Sequence, residues 1–378
     1  MHMVGYTNSD DSDKKFVDET LELFNEYSKS RDIWANHAKE DREFRLGRQW
    51  TKEQETTLKL RGQAPIVVNR IHPAVEAAKA IITANRPSFR VAPREDSDNK
   101  VAQVVSALLS YMYDISDGRT EVRTAVDDYY VCGMGLLNVY QDPTKDMGKG
   151  EVIFSSLDPM DVYIDPNSRD RYFDDAENII VSRLFTKGQA KSMYPMYESA
   201  IQNAESTQDF NAPETGRSTD GFAVQFPEDV GTTVGTEYIR GYERYFKVNV
   251  EKYRVFEKFS GREDLLDIED YQGYLQQPAW IVEGQKVLTD PQQVQQLTQQ
   301  FQMQSVQQMQ QLGYSSEAVP PTPPIEETTY AGLQQMGMIE AVKINSQQVG
   351  MCVIMGNKKL YSRILPTDKY PVVPMMNI

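Results

Sequence analysis

The chain has 378 residues, 40% apolar and 25% charged, which is enough for two or three domains with buried cores and is not the composition of a disordered polymer. Its 40 basic and 55 acidic residues leave a net charge of −15, whereas a protein that grips nucleic-acid phosphates carries a basic excess. Cys132 and Cys352 form neither a metal pattern nor a disulfide framework, no run approaches the ~18 apolar residues of a membrane span, and MHMVGYTNSDDSDKK lacks a signal-peptide core; a secreted, stapled or membrane-spanning protein is not expected.

Residues 1–15 read as a disordered polar tail, and 16–131 as mainly helical. Val17, Leu21, Phe24, Tyr27, Trp34 and Ala38 fall on one face of a 3.6-residue period. Thr51 with Gln54 resembles a capping box that opens a short helix ending near Gly62. After an extended Ile66–Val68 comes a helix with Ile71, Val75, Ala78 and Ile82 on its apolar stripe, Pro73 in its first turn and Pro87 beyond its end. Phe89 and Val91 suggest a short strand. Asp96–Asp98 then cap a helix with the stripe Val101, Val105, Leu108, Met112 and Ile115, and another helix spans about Arg119–Val131.

From Cys132 to residue 202 the character is α+β: CGMGLLNVYQDP and EVIFSSLDP read as a hairpin, DVYIDP and NIIVSRLF as strands, and Thr186 as the cap of a short helix. Residues 203–236 read as an exposed loop. A β-rich stretch follows at 237–290, where Phe246, Val248 and Val250 alternate with polar residues. Residues 291–324 combine a glutamine-rich helix, with twelve glutamines between 291 and 312 and the stripe Val294, Leu297, Phe301, Met309 and Leu312, and a stiff linker at Pro320–Pro324. Residues 325–378 return to strands, with Val349, Met351, Val353 and Met355 alternating before a turn at Gly356-Asn357.

Few residues offer chemistry. The histidines are His2, His37 and His72, and no GxSxG, HExxH or GxxxxGK[ST] motif is present. Asp158, Asp161, Asp165, Asp174 and Asp175 could bind Mg²⁺ or serve as general acid and base, as in a metal-dependent phosphoesterase or nuclease. Against that, Asp158-Pro159 and Asp165-Pro166 are turn initiators. Gly133-Met134-Gly135 follows a helix and opens a strand, the reverse of a nucleotide loop, so it reads as a helix C-cap with a close backbone approach. Arg31, Lys39, Arg42, Arg45 and Arg48, with Trp34 and Trp50, could touch nucleic acid. The interleaved acids favour a salt-bridged helical face instead. The glutamine-rich helix Gln292–Gln311 could bind a partner, making the chain an adaptor, or act as a spacer. The cysteines read as small core side chains. No catalytic, cofactor-binding or metal residue is assigned.

Segment order adds more. GRQW at Gly47–Trp50, then APIVVNRIHPAVEAAKAIITANRPSFRVAP at Ala64–Pro93, then DDYYVCGMGLLNVYQDP, then SSLDPMDVYIDPNSRDRYFDDAENIIVSRLFTKGQAKSMYP follow one another. This succession resembles the N-terminal wing of bacteriophage portal proteins, the head-to-tail connectors of short-tailed phages. YIRGYERYFKVNVEKYRVF and LYSRILPTDKYPVVPM are similar to that family's small β-barrel region and its run toward the stem.

The resemblance implies an α+β portal wing, with N-terminal amphipathic helices followed by antiparallel hairpins and a small β-barrel. It implies a dodecameric ring at one capsid vertex, through which double-stranded DNA is packaged and ejected without sequence-specific binding. Implied partners are the major capsid and scaffolding proteins, the terminase large subunit and head-tail adaptors, and the implied place is the virion, assembled in the host cytoplasm. It implies no catalysis and no cofactor. On this resemblance the chain stops where a stem would begin, so the stem, clip and crown are expected to be missing.

Overall fold

The run of acidic residues from Asp10 favours a helix start, because carboxylates near an N-terminus complement the helix dipole. In the computed structural model, which describes residues 10–85, 87–93, 99–142, 145–206, 238–282, 286–311 and 325–376, helix α1 spans Asp10–Arg45. It therefore begins inside the stretch expected to be a disordered tail, and the reason is tertiary: Asp13 is paired with Lys359 at 2.8 Å. Four more helices follow, α2 (Lys52–Leu60), α3 (Ile71–Ile82), α4 (Asn99–Ile115) and α5 (Gly118–Cys132). The Thr51–Gln54 capping box is formed in both directions. Residues 87–93 form no strand; instead the Val91 N–H donates to Ser106 Oγ of α4 at 2.9 Å and Phe89 packs on Tyr113.

The chain divides into two compact units, Met1–Val248 with Gln348–Ile378, and Asn249–Gln347. The second unit draws on three of the segments marked in the sequence, 237–290, 291–324 and 325–378.

In the first unit, β1 (Met134–Asp142) lies between β2 (Glu151–Leu157) and the late strand β12 (Val372–Met376), antiparallel to both. A larger sheet takes β3 (Val162–Ile164), β4 (Asn178–Thr186), β5 (Tyr238–Glu257), β10 (Ile339–Met355) and β11 (Lys358–Leu365), in the order β11-β10-β5-β4-β3. Short helices α6 (Lys187–Met193) and α7 (Glu198–Gln202) follow β4, and β10 and β11 meet at the Gly356-Asn357 turn. Alternation in β10 suggests one buried face, yet Val349–Met355 is buried throughout. Val349, Met351, Val353 and Met355 join one core with Leu136, Ile179, Val181 and Val372. The opposite face, with Ile180, Tyr242, Cys352 and Ile354, is covered by Val17, Leu21, Phe24 and Tyr27 of α1. Phe24 lies 4.4 Å from the Tyr163 ring and 5.0 Å from that of Tyr242, centroid to centroid.

The second unit contains β6 (Glu263–Asp267), α8 (Ile268–Leu275), β7 (Pro278–Val282), β8 (Lys286–Leu288), α9 (Pro291–Gln311), β9 (Ile325–Thr329) and α10 (Tyr330–Gln335). Strands run in the order β8-β7-β9, and β6 pairs with β5. Val255, Tyr271, Ala279, Ile281, Tyr330, Leu333 and Ile339 form its core.

The fold is thus α+β with antiparallel sheets, but the expected β-barrel is corrected. Among the described residues the three sheets are open: β3 and β11 end the large one without pairing to each other, and β8 and β9 end the small one. The expected loop at 203–236 lies, from 207 on, outside the described residues, as do the Asp96–Asp98 cap, Leu312 and the linker at Pro320–Pro324.

Candidate functional site

Helix α3, IHPAVEAAKAII, carries one lysine among its apolar residues, and that lysine faces inward. Lys79 is 8% exposed. Its ammonium pairs with Glu76 one turn back and donates to Asp127 Oδ1 of α5 at 3.0 Å. Arg45 at the end of α1 donates to the same Asp127 oxygen at 2.7 Å and to Glu76 at 3.0 Å, and Arg123 reaches Glu76 at 3.3 Å. These cations hold the Glu76 carboxyl below the usual range, the hydrogen bond from Lys79 contributing most. Helices α1, α3 and α5 are therefore joined by a connected ionic network, which keeps each partly buried charge paired.

A helix that turns its charge inward turns its apolar edge outward. Ile81 is 76% exposed and Ile82 50%, and the lead-in residues Ile66 and Val68 are 75% and 72% exposed. Helix α4 behaves alike: Ala102 and Tyr113 face inward while Val101, Val104, Leu108 and Ile115 are exposed. Of the two sequence stripes, the structure places Ile71, Ile82, Val101, Leu108 and Ile115 on the surface. Exposed apolar area on this scale marks an association surface.

A second ionic centre lies one turn earlier on α1. Arg42 donates to both oxygens of Asp158, at 2.7 and 3.2 Å, and to Asp128 at 3.2 Å. Burial opposes the Arg42 charge, but Asp158 more than compensates and raises its pKa. Arg31 donates to the carbonyls of Pro159, Met160 and Val162, with its guanidinium 3.7 Å from the Tyr163 ring centroid. The salt-bridged reading of Arg42, Arg45 and Arg48 holds, although Arg42 and Arg45 find their partners on other elements.

The aspartates singled out for metal chemistry are committed elsewhere. Asp158 also accepts from the Met160 N–H at 2.9 Å, and Asp165 accepts from the N–H groups of Asn167 and Glu177. Asp174 pairs with Lys369. Asp175 accepts from Ser168 Oγ and the Arg169 N–H, both at 2.6 Å, which lowers its pKa. Among the described residues, no three His, Cys, Asp or Glu are grouped to hold a metal ion. Gly133 caps α5 at φ 78°, and a Cβ on Gly135 would lie 2.1 Å from the Ala125 carbonyl oxygen, so both glycines serve the α5–β1 connection.

In the second unit a cavity of about 520 Å³ is lined by Glu257, Arg262, Asp264, Glu269, Asp270 and Tyr274, among others. Glu257 is held by hydroxyl donors, Tyr274 Oη at 2.8 Å and Ser260 Oγ at 2.5 Å. Helix α9 contributes Val294, Leu297 and Phe301 as half-buried residues and leaves Met303 exposed. No helix of the described residues is long and apolar enough to cross a membrane.

The family model described as Phage P22-like portal protein matches residues 21–378. The chain belongs to that family. Its role is accordingly that of a structural phage portal protein, a head-tail connector of the virion that forms an oligomeric ring with capsid and packaging partners. The portal family is structural and not enzymatic. None of the curated proteins compared matches the chain. The sequence held one signal for the α3 surface that periodicity alone hides: a single lysine, three residues after Glu76, in a helix otherwise free of charge.

Proposed function

We propose that this chain is one subunit of a closed ring of about twelve copies, seated at one capsid vertex as the channel for double-stranded DNA. The reading is carried by the outward apolar edges of α3 and α4, on a chain of the portal family. A monomer gains nothing from exposing those isoleucines and valines, whereas a ring buries them between neighbours at about 25 cal/mol per Å². Because one patch meets a different patch on the next copy, the contact is heterologous and closes only by rotation.

The mechanism is mechanical and electrostatic. DNA slides through without base readout, and a subunit of net charge −15 offers few phosphate contacts that would hold the polymer. The ring works with the terminase large subunit during packaging, with capsid and scaffolding proteins at the vertex and with adaptors toward the tail, and it assembles in the host cytoplasm. The chain performs no catalysis of its own. Native mass measurement of the intact protein, with particle imaging, tests the reading: rings of about twelve support it, and monomers alone contradict it.

A further inference from the structure

The segments that lead into α3 and α4 are basic, against the balance of the chain. Residues 42–94 hold eleven basic and four acidic side chains in a protein of net charge −15. Arg42, Arg45 and Lys79 are consumed by the internal networks. Arg61, Arg70, Arg90 and Lys100 are exposed, and among the described residues their side chains pair with nothing. Arg70 directly precedes Ile71 and Lys100 directly precedes Val101, so exposed positive charge adjoins exposed apolar side chains at the start of both helices.

Helix α1 carries the opposite pattern. Asp18, Glu22 and Glu26 lie along one line at steps of four, exposed and unpaired among the described residues, with Lys14, Lys15 and Lys29 beside them. Neighbouring like charges at that spacing destabilise a helix slightly unless something neutralises them. The same line continues seven residues on to Ile33, which is 75% exposed. The two surfaces cannot neutralise each other within one copy. Helix α3 attaches at the Arg45 end, through Glu76 and through Asn69 Nδ2 donating to the Arg45 carbonyl at 2.7 Å. Glu26 is nineteen residues away along a continuous helix, about 29 Å at 1.5 Å per residue, and Asp18 is farther.

We propose that the apolar-cationic face of α3 and α4, with Arg61, Arg70, Arg90 and Lys100, docks on the Asp18–Glu22–Glu26 line of α1 in the next copy. The proposal rests on the ring reading and names the two halves of its contact. Opposite charges carried at two separated places on one subunit make a directional, head-to-tail joint, because like faces repel and unlike faces attract. Phosphate binding explains the arginines but leaves the isoleucines and valines among them without a role, so a second copy is the better occupant.

Two reversal variants test it. One carries Asp18→Lys, Glu22→Lys and Glu26→Lys; the other carries Arg61→Glu, Arg70→Glu and Arg90→Glu. All six side chains are exposed, so circular dichroism and the unfolding midpoint stay as in wild type. Each variant alone requires at least about tenfold higher concentration to assemble, since like charges now meet at every joint. An equimolar mixture restores rings, because the positive line of one variant fits the negative face of the other and alternating copies close. Variants that assemble singly like wild type overturn the proposal, as does a mixture that stays dispersed. A reversed face that assembles normally but loses DNA retention assigns those arginines to DNA and also overturns it. If wild type itself is monomeric, the ring reading fails first and this proposal falls with it.

Discussion

Lys79 Nζ lies 3.0 Å from Asp127 Oδ1, on the inner edge of a helix whose outer edge carries Ile81 exposed to solvent. That inversion, charge inside and oil outside, connects the fold of a single copy to its assembly.

The two edges should separate under mutation. Lys79→Met leaves Asp127 with Arg45 alone and Glu76 with Arg45 and Arg123, and should lower stability by about 1–3 kcal/mol in urea unfolding of the isolated chain. Ile81→Ser should change that stability by less than about 0.5 kcal/mol. It should nonetheless weaken ring formation, measured as the concentration for half-assembly.

Asp158 is read as structural, and the comparison with Asp174 makes this measurable. Asp158→Asn deprives the largely buried Arg42 of its bidentate partner and should cost about 3 kcal/mol. Asp174→Asn removes a surface pair with Lys369 and should cost at most about 1 kcal/mol. Millimolar Mg²⁺ should leave the unfolding temperature of wild type unchanged; a rise would revive a metal site among the aspartates.

Local signals in the sequence proved the most legible. The Thr51–Gln54 box, the Gly133 cap and the Gly356-Asn357 turn depend on neighbours in the chain, and each is where its residues point. Periodicity identified α1, α3 and α4 as helices, but it cannot say which side of an apolar stripe meets the chain's own core and which meets another copy. For α3 that choice was made by Glu76 and Lys79, whose partners Arg45 and Asp127 are distant in sequence. The start of α1 at Asp10 was hidden for the same reason, since Lys359 fixes it from the far end of the chain. The barrel expectation came from resemblance, and no hydrogen-bond register in the sequence could test it. The family resemblance itself was legible because segment order survives where single motifs are loose.

The two glycines of the α5–β1 connection should behave differently. Gly133→Ala keeps open space around its Cβ and suffers only its positive φ, about 1–2 kcal/mol. Gly135→Ala drives a methyl into the Ala125 carbonyl, 2.1 Å away, and should cost more, about 3 kcal/mol or above, with α5 displaced from β1. Denaturant midpoints of the two variants decide the order.

Burial pushes the thiols of Cys132 and Cys352 up to about 11, from an ordinary 9.0. A folded-state pKa raised in this way stabilises fully below pH 9. The contribution is lost between about pH 9 and 11, because only the unfolded chain gives up its protons there. Stability should fall across that window, and replacing both cysteines by alanine should flatten the fall. Native thiols should stay silent toward a disulfide reagent at pH 8 and react once the chain is unfolded.

The account stands or falls on assembly. Particle imaging of the purified intact protein, with its native mass, should show closed rings of about twelve subunits in which the α3 and α4 edges are buried between neighbours. A population of monomers alone, with Ile81 and Val104 still open to solvent, would contradict it.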